Sequence, residues 1–83
     1  MAINGRKPRR TQLDKFDADI LEFAKRWAPF GGGHEFVLAE FGINIGGFYH
    51  RLHWILQELE PHERDPKVVT ITQHNYAAHH GPP

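Results

Sequence analysis

His50 and His53 stand three residues apart in a segment with helical periodicity, a spacing that sets two imidazoles on one side of a helix where both could reach one metal ion. Zinc would need one or two further ligands. His34, His62, His74, His79 and His80 are available, but no HExxH, CxxC or carboxylate–histidine pair fixes a site, so no metal is expected. Arg51, between the two histidines, suits a second chemistry: a guanidinium pairs with phosphate or guanine, and the amide of Asn44 can read adenine. Four more cations, Arg6, Lys7, Arg9 and Arg10, have no acid among residues 1–10. Such a run is either a plain solvated segment or an arm that tracks phosphates or enters a minor groove. Covalent catalysis has little to work with, because the chain lacks cysteine and serine, shows no phosphate loop after a strand and offers no paired carboxylates in an evident pocket. Gly31-Gly32-Gly33 precedes a helical pattern but lacks the Lys and Ser/Thr of a P-loop, and reads as a linker. The expectation is a non-enzyme without cofactor.

The elements that must position these side chains fit one small domain of 83 residues. Without cysteine the core rests on packing, for which the chain carries six Phe, two Trp and two Tyr. No apolar run approaches the roughly 18 residues that span a bilayer, and the charged start is not followed by an apolar leader segment. A cytoplasmic protein with no membrane partner is expected.

Residues 1–10, with Gly5 and Pro8 among the charges and no apolar periodicity, read as a disordered basic arm. From Thr11 the pattern changes. Leu13, Phe16, Ile20, Phe23 and Trp27, with Leu21 and Ala24, draw one face of an amphipathic helix. Its start is open between a weak Thr11/Asp14 capping box and Asp17, while Pro29 and the three glycines end it. His34 to Phe41 predicts a two-turn helix with Val37, Leu38 and Phe41 on its apolar face, Gly42 a left-handed stop and Ile43 a plug in the corner. Asn44 then caps a helix from Ile45 to about Leu59, stopped by Pro61, whose apolar stripe is Phe48, Leu52, Ile55, Leu56 and Leu59. Gly46 and Gly47 in its first turn cost about 1 kcal/mol each against alanine, which points to a close approach by a phosphate, a base edge or another helix. Asp65-Pro66 opens a last element over 66–74. A short helix is favoured there over a strand, although Val68-Val69-Thr70-Ile71-Thr72 would suit either. Residues 75–83 read as a disordered tail.

The two central helices have the spacing of a helix-turn-helix, whose second helix in DNA-binding proteins enters the major groove. On its wheel Gly46, His50, His53, Trp54 and Gln57 lie opposite the apolar stripe, with Tyr49 and Arg51 at the flanks. Residues Gly42 to Leu52 resemble the helix-turn-helix of region 4 of bacterial sigma factors: the glycine, the following hydrophobe and the Arg51-Leu52 pair are in place, with Leu38 where a small residue is usual. Ile20 to Phe23, Trp27, Glu35, Phe41-Gly42, Tyr49, Leu52 and Asp65-Pro66 are together similar to a family of small uncharacterised actinobacterial proteins also carried by their phages. Where that pattern has a polar and a basic residue, this chain has Gly46 and Gly47. The resemblance implies a sigma-like fold in an actinobacterial or phage setting.

The expectation is an all-α domain of three to four helices containing a helix-turn-helix (11–74), between a basic arm (1–10) and a tail (75–83). Its expected function is binding of double-stranded DNA in transcriptional regulation through Arg6, Lys7, Arg9, Arg10, Asn44, Gly46, Gly47, Tyr49, His50, Arg51 and His53, as a homodimer if it reads an operator. The rival is a module that binds host transcription machinery or another protein through Trp54 and Gln57.

Overall fold

The computed structural model describes residues 13–80, which form four α-helices: α1 Lys15–Trp27, α2 His34–Phe41, α3 Ile45–Glu58 and α4 Pro66–His80. Short 3-10 turns at Ala28–Phe30 and Pro61–Glu63 precede the second and fourth. Among the described residues there is no strand, and no helix is long and apolar enough to cross a membrane.

Each helix boundary has a local cause. Asp14 caps α1, its carboxylate accepting from the Asp17 backbone N–H at 2.8 Å, so the cap is neither the Thr11/Asp14 box nor Asp17. Thr11 itself lies outside the described residues. Gly42 closes α2 at φ 72°, donating its N–H to the Leu38 carbonyl, and Asn44 caps α3 by accepting from the Gly47 N–H at 2.8 Å. Asp65 Oδ1 accepts from the N–H groups of Lys67 and Val68 at the start of α4. The last helix settles the helix-or-strand question and runs well past 74. Residues 75–80, expected in a disordered tail, belong to α4, while 81–83 lie outside the described residues.

The core is built on α3, whose Phe48, Leu52, Ile55 and Leu56 are buried together with Leu59 just beyond it. Full burial contributes about 1.5–3 kcal/mol for each such side chain. From α1 come Ile20, Phe23 and Ala24, from α2 Val37, and from α4 Val68. Phe23 meets Phe41 and Phe48 edge-on at 5.3 and 5.7 Å, the geometry that the ring quadrupoles favour. Leu38, expected on the apolar face of α2, is instead 64% exposed. Helix α4 packs chiefly on α3, so α3 lies between α1, α2 and α4. That arrangement decides which of its side chains can meet a partner.

Candidate interaction face of α3

Tyr49, expected at the edge of the outward face, is buried. Ile45, Tyr49, Leu52, Leu56 and Leu59 recur at steps of four and three, so the same stripe that buries Phe48 also buries Tyr49. Its hydroxyl lies 2.8 Å from His34 Nε2 at the start of α2, and loss of solvent pushes the phenol from 10.0 up to about 12. Gly32 of the three-glycine linker lies against this pair. A side chain on Gly32 would come within 3 Å of both His34 Nε2 and the Tyr49 hydroxyl.

Arg51 remains at the surface but is engaged, its Nε donating to Asp17 Oδ1 of α1 at 2.9 Å while the guanidinium lies 4.9 Å from the Phe16 ring centre. On the opposite flank, Tyr76 of α4 stacks on His53 with ring centres 4.1 Å apart and planes 10° off parallel, and lies 6.1 Å from His50. The expected groove face is therefore narrowed from both sides. His53 is only partly exposed, and the Asn44 carboxamide oxygen is committed to the Gly47 N–H. Gly46 and Gly47 are half-buried, whereas Gln57 is exposed and Trp54 is 54% exposed, its ring edge-on to His53. Arg6, Lys7, Arg9 and Arg10 lie outside the described residues.

A cleft of about 490 Å³ runs between the start of α1 and this face, lined by Leu13, Asp14, Asp17, His50, Arg51, Trp54, Ile55 and Glu58. It holds three carboxylates against one guanidinium. The imbalance extends to the whole folded body: residues 13–80 contain ten Asp/Glu and six Lys/Arg, a formal −4 with neutral histidines, and the other four cations are Arg6, Lys7, Arg9 and Arg10. Sequence reading located the basic run and Trp54 but not the cleft. Asp14 and Asp17 reach it only because α1 packs against α3, a contact without a local signal.

No group of three or more His, Cys, Asp or Glu among the described residues is placed to hold a metal ion. A second apolar surface surrounds Trp27, which contacts Phe36 at 5.2 Å and the 74%-exposed Phe30 at 6.2 Å between ring centres. Set against family models, curated proteins and solved structures, the chain matches none.

Proposed function

We propose that the chain is a protein-interaction module whose α1–α3 cleft binds a partner presenting Lys or Arg beside an apolar side chain. The observation that carries this reading is the lining of the cleft: Asp14, Asp17 and Glu58 line it together with Arg51, itself paired with Asp17, and half-exposed Trp54 supplies an aromatic wall. Aromatic rings in such surfaces often carry much of the binding energy, while complementary charge selects the partner. A phosphate backbone would meet repulsion at the same place. The resemblance of residues 42–52 to sigma region 4 supports transcription as the setting, with a component of the host machinery as partner.

Binding to double-stranded DNA is the second reading, favoured by the four cations of residues 6–10 and their attachment close to Leu13, at the edge of the α3 face. In that reading the arm holds phosphates, and Asn44, His50 and Arg51 face the groove once Arg51 leaves Asp17. The two separate in one NMR titration of the labelled full chain, first with a peptide carrying two Arg around a Leu and then with a DNA duplex. The proposal expects the peptide to shift Trp54, Ile55 and Glu58 resonances and Trp54→Ala to weaken it about 30-fold, an aromatic anchor's worth. Shifts at α3 with the duplex alone would overturn it in favour of DNA.

A further inference from the structure

We infer that the chain pairs with a second copy of itself at the junction of α1 and α4, with Phe30 of each copy seated in a groove of the other. The groove, of about 600 Å³, lies where α4 packs against the 3-10 turn that follows α1, and Ala28, Pro29, Pro66, Thr70 and Ile71 line most of it. That volume is in the range that holds drug-sized ligands, so one phenyl ring enters without displacing the walls. Phe30 directly follows Pro29 of the lining and is 74% exposed, and Gly31 beside it has nothing within 4 Å of where a Cβ would stand. A knob beside a groove on one surface is what an isologous pair requires, because a two-fold axis carries each knob to the other copy's groove.

Charge and area both favour a second copy as the occupant. Trp27 to Gly33 carries no charge, and the cation of the groove, Lys67, is a fitting neighbour for the face of an incoming ring. From Phe30 the apolar surface continues through Trp27 to Phe36, which is 44% exposed. With about 150–250 Å² to an aromatic side chain, Phe30 and Phe36 alone offer roughly 180–300 Å². A standard interface takes about 800 Å² from each partner, so the two rings supply about a quarter to a third of it as an apolar centre. The association is therefore reversible, with Kd on the order of 100 µM. The groove shares no lining residue with the α1–α3 cleft, so either reading can fail while the other stands.

Sedimentation equilibrium of the full chain from about 10 µM to about 1 mM tests the pairing, which should double the mass and keep its strength in 500 mM salt. Phe30→Ala removes both knobs and Thr70→Arg fills both grooves, and each should weaken association about 30-fold. Both positions are exposed, so both variants should keep the native far-UV circular dichroism and melting temperature. Mixed with each other, the two variants regain one of the two contacts, because the intact Phe30 of one finds the intact groove of the other. The mixed pair should form only about fivefold more weakly than the native dimer, and unlabelled Thr70→Arg should shift the Lys67 and Ile71 amides of isotope-labelled Phe30→Ala. A native chain that stays monomeric at about 1 mM overturns the inference, as does a Phe30→Ala chain that pairs as the native one does. A dimer that dissociates in salt overturns it in favour of a charged contact, and a mixture no stronger than its components shows that the copies meet elsewhere.

Discussion

Tyr49→Phe should reverse its effect on stability between neutral and strongly alkaline solution. At pH 8 the substitution removes the hydroxyl that meets His34 Nε2 at 2.8 Å, a hydrogen bond with a net contribution of about 0.5–1.5 kcal/mol. His34 is exposed and can turn to water, so the lower half of that range applies. At high pH the ionisation of the phenol takes over. Burial raises it from 10.0 to about 12, so the native state keeps a proton that the unfolded chain has already released. Stability from this source is complete below pH 10 and is lost as pH climbs toward 12, by about 1.4 kcal/mol at pH 11 and about 2.3 kcal/mol at pH 12. Phenylalanine has no proton to lose. The native protein should therefore be the more stable at pH 8, the two should cross near pH 10.5, and the variant should lead by about 1–2 kcal/mol at pH 12. Urea unfolding followed by far-UV circular dichroism measures both across the range. A difference that stays constant from pH 8 to 12 would refute the burial of Tyr49.

Two further substitutions should stabilise the fold. A Cβ on Gly47 would meet Asn44 Oδ1 at 3.4 Å and Ile43 Cβ at 3.8 Å, which is ordinary contact in helical backbone, so Gly47→Ala should gain about 0.5–1 kcal/mol and raise Tm by roughly 3–6 °C. An unchanged or lowered melting temperature would show that the start of α3 needs glycine for a reason other than room. Thr72 is 1% exposed and its Oγ1 is the one buried side-chain polar atom among the described residues without a hydrogen-bond partner. Thr72→Val keeps the shape and removes the desolvated hydroxyl, and should gain about 1 kcal/mol in urea unfolding; a loss of stability would show that the hydroxyl is satisfied in solution.

The boundaries that the sequence made legible are those with a local cause. Gly42, Asn44 and Asp65-Pro66 act on backbone groups within four residues of themselves, and the limits of α2 and α3 follow closely from them. What escaped depends on contacts between distant segments. Arg51 and Asp17 are separated by 34 residues, so a guanidinium available to phosphate in the sequence is spoken for in the fold. The far end of α4 contains Asn75, Tyr76, Ala77 and Ala78 with little apolar periodicity, and its order accompanies the stacking of Tyr76 on His53 of α3. Of the face expected to meet a groove, the helix and its cap were readable, but the carboxylates that α1 adds to it were not.

The connection between α1 and α2 is a place where handedness itself is specified. Gly31, Gly32 and Gly33 all have positive φ, at 91°, 102° and 65°, a region open to mirror-image amino acids and awkward for natural ones. The three differ in what surrounds them: a Cβ on Gly32 or Gly33 in the natural configuration would press into His34, Tyr49 or Trp27, while Gly31 has nothing within 4 Å. Ribosomal synthesis, limited to one enantiomer, fills this bend with the achiral residue and leaves its unfolded chain correspondingly free. At Gly31 a D-alanine introduced by chemical synthesis would match the bend's handedness and restrict that freedom.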